Sequence, residues 1–156
     1  MTTIEKKSLR VGKYVGTNHA DTLIRTYKQE RWIQNSERIG QEDSLSLYYS
    51  IEELEEFLQR SKEAGANSIS IHFGAYPENF AERAGYAGKQ TTVLVATDHQ
   101  ETENGTIHKS VYVETNKGKQ LLAYNMGGYP PGSGVGSDEG FGITIVDKGD
   151  KGMIVV

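Results

Sequence analysis

The chain has 156 residues, a net charge of −4, four histidines and no cysteine. That length fits one domain, which can bury roughly 70% of its unfolded surface. The missing cysteine excludes disulfides, thiolate catalysis and cysteine-ligated metal centres, and the acidic balance argues against nucleic acid as a partner.

Read from the start, Lys6, Lys7 and Arg10 precede no apolar stretch of the signal-peptide kind, and no apolar run approaches the ~20 residues of a membrane span. A cytoplasmic protein with no membrane partner is the expectation. Residues 1–16 read as an extended N-terminal segment. Residues 1–41 hold eight Lys/Arg against four Asp/Glu, whereas residues 42–63 hold seven acids against two bases. A basic helix near an acidic one accounts for this without a partner.

A first helix is predicted over His19–Trp32. Thr17 or Asn18 can cap it, and Ala20, Leu23, Ile24 and Tyr27 recur at helical spacing on one face. Asn35, Ser36 and Gly40 should end it. Asp43–Ser50 reads as a strand, because Leu45, Leu47 and Tyr49 alternate with Ser44, Ser46 and Tyr48. Ser50-Ile51-Glu52-Glu53 is a capping box, in which Ser50 accepts from the backbone of Glu53 and the Glu53 side chain reaches back. It opens a helix whose apolar face is Ile51, Leu54, Phe57 and Leu58 and whose stop is Gly65.

Asn67–Gly74 follows as a strand, with Ile69, Ile71 and Phe73 on one face and Ser70 and His72 on the other. Tyr76-Pro77 begins a loop to about Lys89. Thr91–Thr97 is nearly all apolar or β-branched, as in a central strand covered on both faces. Asn104-Gly105 and Asn116-Lys117-Gly118 are turn signals, the second between strands at 107–115 and 119–126. Nine of the 18 glycines fall in the last 30 residues, so 127–140 reads as a Gly/Pro-rich loop leading to a final strand pair near 141–146 and 153–156. The fold class expected is α+β: a single domain, two helices packed on one face of a mainly antiparallel sheet of five or six strands.

Three stretches belong together: Ser46-Leu47-Tyr48-Tyr49-Ser50-Ile51-Glu52-Glu53-Leu54, then Ile69-Ser70-Ile71-His72-Phe73-Gly74-Ala75-Tyr76-Pro77, then Thr92-Val93-Leu94-Val95-Ala96-Thr97 with a late Tyr129-Pro130-Pro131. The pattern resembles a group of small bacterial proteins with a capped-helix start, I-x-F-G-x-Y-P and T-x-x-x-V-x-T strands and a late Pro-Pro. It covers half of the chain. Some of that group carry cysteines beside the Pro-Pro, where this chain has Tyr129 and Gly132, so no cysteine-based role carries over. The resemblance implies a fold and no activity.

Catalytic patterns are missing from the sequence. No H-E-x-x-H or G-x-S-x-G occurs, and Gly85 to Thr91 fails the phosphate-loop spacing. Neither a cofactor nor a catalytic residue is expected. The one candidate chemistry is a small hydrolase or metal-dependent enzyme built on His72, Asp98 and His99, should their strands be neighbours. Those residues are also the candidate metal ligands. Tyrosine is the stronger signal: nine Tyr against four Phe and one Trp. Tyr76, Pro77 and Tyr86 lie in one loop, and Tyr124, Tyr129 and Pro130 lead into another. Tyrosine offers wide contact area with a polar tip at low entropy cost, as recognition surfaces require. The sequence therefore favours a non-enzymatic binding or interaction domain, with a protein, a small molecule or a second copy of itself as partner.

Overall fold

The computed structural model describes residues 10–130 and the backbone of 145–147 and 153–155. The architecture is α+β, with two helical segments, a mainly antiparallel four-stranded sheet and smaller two-stranded sheets. The chain divides into two compact units, one formed by residues 1–12, 49–74 and 92–126, the other by 13–48, 75–91 and 127–156. Among the described residues no helix is long and apolar enough to cross a membrane.

The first unit is built on α3 (Ile51–Glu63) and β1 (Ser68–Ala75), β2 (Gln90–Thr102), β3 (Gly105–Ser110), β4 (Tyr112–Thr115), β5 (Gly118–Leu121) and β6 (Ala123–Tyr124). The capping box of α3 is present in both directions: Ser50 Oγ accepts from Glu53 N–H at 3.1 Å, and Ser50 N–H donates to Glu53 Oε2 at 2.7 Å. Gly65 follows with φ 95°, and Ala66 N–H closes the end on Ser61 O. A residue with a Cβ reaches that left-handed geometry only at a cost. Phe57 on α3 then packs with Leu94, Ala96, Leu122 and Ala66, and Ile69, Val111, Val113 and Tyr124 complete the cluster.

β1 and β3 flank β2, and β6 pairs with β2 beyond the end of β3. Thr97 faces Ser110, His99 faces His108, and Leu94 faces Tyr124. Between these pairings the sheet forks. Ala96 N–H donates to Leu122 O, Leu122 N–H to Val111 O, and Val111 N–H to Ala96 O, all at 2.9–3.0 Å. The closed ring of three bonds satisfies the backbone where β3 leaves the sheet and the β4–β5 ribbon begins. Among the described residues the sheet holds four strands, and β4 and β5 pair with each other as a second small sheet. On β1 only Ile69 joins the core: Ile71 and Phe73 lie exposed, Phe73 at 83%. The expected apolar face is thus buried only at its start.

The second unit holds one continuous helical run: α1 (Thr17–Tyr27), a π-helical turn at Lys28–Trp32, and α2 (Ile33–Ile39). It extends seven residues beyond the expected Trp32. Asn35 and Ser36 do not stop it; Gly40, with φ 73°, does. Ser36 is buried and spends its hydroxyl accepting from Asp43 N–H at 2.9 Å, so its usual helix-ending chemistry is engaged elsewhere. Residues 43–50 are not a strand. Among the described residues their one pairing is a bridge between Tyr48 and Gly128, with N–H···O bonds of 2.8 Å each way. The alternation is real, but the backbone at 43 and 44 is bonded to side chains rather than to a neighbouring strand. β7 (Ile145–Asp147) and β8 (Met153–Val155) pair antiparallel with each other and do not join the four-stranded sheet. The expected glycine loop beyond residue 130 lies outside the described residues.

Candidate functional site

The loop expected from Tyr76 to Lys89 is ordered by turns and by its closure. Phe80 N–H bonds Pro77 O, and Lys89 N–H bonds Tyr86 O. At the neck, Gly88 N–H donates to Tyr76 O while Tyr76 N–H donates to Lys89 O, both at 3.0 Å. Gly88 has φ 76°. One left-handed glycine followed by a second residue opposite a single partner is a G1 bulge, and it turns the loop away from the strand axis.

The bulge sets up a row of rings. Tyr76 meets Phe80 at 4.5 Å between centroids and Tyr86 at 5.6 Å, and Tyr86 meets Tyr129 at 4.6 Å. The Arg83 guanidinium lies 5.7 Å from the Tyr86 centroid, on the ring face. Tyr76 is buried, Phe80, Tyr86, Tyr129 and Pro130 are half-buried, and Pro77 is exposed. Four of the sequence-derived tyrosine and proline candidates, Tyr76, Tyr86, Tyr129 and Pro77, are thus gathered on or beside one ring row; Pro130 follows Tyr129 directly.

Tyr124 does not join them. It sits in the core of the first unit, tilted against Tyr49 at 5.5 Å and Phe57 at 5.7 Å, with its hydroxyl donating to Glu53 Oε1 at 2.8 Å. That bond raises the Tyr124 pKa, with burial adding to it. Its polar tip serves the cap of α3, so its place in the list of recognition residues falls to a packing role.

Beneath the ring row lies a polar cluster that sequence reading missed. Asp43 is 3% exposed, and its Oδ1 accepts from Ser44 N–H at 2.8 Å and Gln90 N–H at 2.7 Å. Ser44 Oγ and Tyr129 OH both donate to Gln90 O. The wholly buried Trp32 donates its indole N–H to Asp43 O at 2.7 Å. Lys89 is buried as well and donates to Glu42 O. Burial lowers the Lys89 pKa, and the charges of Asp43 and Glu42 oppose that fall. Burial, helped by Tyr76, pushes the Tyr129 pKa far up, while hydrogen bonds to Thr91 and Ser44 work against it. Tyr27 bonds Gln90 Oε1 and is raised by burial and by Asp43. The signal that could have marked the cluster was Gln41-Glu42-Asp43-Ser44 beside a helix end: acids and a serine where a strand should begin.

The histidine candidates separate. His99 faces His108 across β2 and β3, with Nδ1 atoms 3.1 Å apart. Asp98 is on the opposite face of the strand by alternation, beside Gln100 Nε2 at 2.9 Å. His72 is exposed on β1. Among the described residues no group of three or more His, Asp or Glu converges as a metal-ligand set. No family model matches the chain, and no curated protein or solved structure matches it either.

Proposed function

We propose that the protein is a binding domain whose recognition surface is the ring pair Tyr86 and Tyr129, seated on the buried Tyr76 and flanked by Pro77, Arg83 and Pro130, and that its partner is a polypeptide. The observation that carries this reading is the support beneath the rings. The Tyr129 hydroxyl is fixed on Gln90 O at 2.7 Å, and the loop neck is pinned by the Gly88 bulge. Half-buried rings held in one geometry lose little entropy on binding, and an Arg stacked on a tyrosine supplies a charged rim. The enzyme reading built on His72, Asp98 and His99 has less support, since Asp98 and His99 are neighbours on β2 and alternate to opposite faces.

A displayed peptide library selected against the whole protein tests the proposal. Enriched peptides should lose at least about tenfold in affinity on Arg83→Ala and on Tyr86→Ala, each about 1.4 kcal/mol or more, with the circular dichroism spectrum unchanged. Peptides that bind both variants as tightly as the parent would place recognition elsewhere and overturn it.

A further inference from the structure

The histidine pair on β2 and β3 carries an inference independent of the tyrosine surface. We propose that His99 and His108 form a two-imidazole binding site for a divalent transition-metal ion of the zinc, copper and nickel class.

Register brings the residues together, because His99 and His108 are directly opposed in an antiparallel pair. Their rings meet edge to face, with centroids 5.3 Å apart and planes at 69°. The His108 ring is held from behind through its other nitrogen, and the Glu101 carboxylate lies near that of His99. His108 Nε2 lies 2.7 Å from Ser70 Oγ, and His99 Nε2 lies 3.9 Å from Glu101 Oε1. A neutral imidazole carries one N–H and one lone pair. With Nε2–H of His108 turned to Ser70, the Nδ1 lone pair of His108 accepts the Nδ1–H of His99 across 3.1 Å. A divalent cation can take the place of that shared proton, which His99 then carries on Nε2, the side of Glu101.

The separation suits a metal. Two nitrogens bound at about 2.0–2.1 Å in tetrahedral geometry stand about 3.3 Å apart, so the pair must part by a few tenths of an ångström and tilt until both lone pairs converge on the ion. An outer partner such as the Ser70 hydroxyl on the far nitrogen of His108 is what fixes tautomer and ring orientation in metal-bound histidines. His108 is exposed and His99 half-buried, which leaves the remaining coordination positions to water. Imidazole ligands favour zinc, copper and nickel over magnesium and calcium.

The test uses the full-length protein without an affinity tag and Zn2+ or Cu2+ alone as the probe. Calorimetric titration should give one site per chain, tighter for Cu2+ than for Zn2+, and none for Mg2+. His99→Gln or His108→Gln should weaken it at least tenfold, and Ser70→Ala about tenfold; His19→Gln and His72→Gln should leave it unchanged. In the unsubstituted protein, 15N spectra of the imidazoles should show Nδ1 of both His99 and His108 moving on Zn2+ addition. Affinity unaffected by the His99 and His108 substitutions, coordination through Nε2, or no binding below about 1 mM would overturn the proposal.

Discussion

Removing the Asp43 carboxylate should undo the polar cluster of the second unit, and the size of the loss follows from its bonds. Oδ1 of Asp43 accepts from two backbone N–H groups, those of Ser44 and Gln90. Both groups are buried or half-buried. In Asp43→Ala neither keeps an acceptor, and each orphaned N–H costs about 1–3 kcal/mol. Lys89 loses in addition a negative charge that favours its protonated form. A total near 3 kcal/mol follows, at the cautious end of those terms. Asp43→Asn keeps an acceptor oxygen and loses only the charge, so about 1–2 kcal/mol is expected. The single tryptophan makes the assay local, since Trp32 donates to the backbone carbonyl of Asp43 itself. Urea titrations followed by Trp32 emission should move the midpoint down by about 1–3 M for Asp43→Ala, given a slope of about 1–3 kcal/mol per molar. A loss under about 1 kcal/mol in Asp43→Ala, or equal losses in the Ala and Asn variants, would refute the argument that the accepted N–H bonds are what the residue contributes.

Three further outcomes are expected. Ser50→Ala should lower stability by about 1 kcal/mol through the lost cap, since Ser50 Oγ accepts from Glu53 N–H; in a double-mutant cycle Tyr124→Phe should couple to Glu53→Ala, because the Tyr124 hydroxyl donates to the Glu53 carboxylate, and an uncoupled cycle would mean that this bond contributes nothing. At alkaline pH the folded chain keeps the Tyr129 proton after the unfolded chain has lost it above its ordinary value of 10.0, so this group's contribution is constant below that pH and falls as pH rises further. Urea midpoints between about pH 9 and pH 11 should therefore drop more steeply in the parent than in Tyr129→Phe.

Local grammar made part of this legible in advance. Ser50 and Glu53 set the start of α3, Gly65 its end, and the β-branched run at 91–97 the central strand, because caps, left-handed glycines and buried strands are each dictated by neighbours within a few residues. Residues 43–50 misled for the opposite reason: the alternation is local, but the acceptors for that backbone are Ser36 and the Asp43 side chain, and the latter also takes Gln90 from 47 residues away. The π-helical turn at Lys28–Trp32 leaves no sequence mark, yet it lies where Trp32 enters the core of its unit. At the candidate site, the loop tyrosines could be named from composition and spacing. That Tyr124 faces Glu53, and that His99 meets His108 rather than His72, depended on register, which no periodicity encodes.

The ring of hydrogen bonds joining Ala96, Val111 and Leu122 closes the sheet before the β4–β5 ribbon begins. Everything from Tyr112 to Leu121 is therefore a detour that starts and finishes at a sealed point. Apart from Val113, its residues are exposed, and its turn is an Asn-Lys-Gly segment with Gly118 at φ 95°. Lengthening, shortening or replacing that detour changes no strand pairing of the four-stranded sheet. It is the place where a reporter or an extra binding segment can be spliced in with the body left as it is.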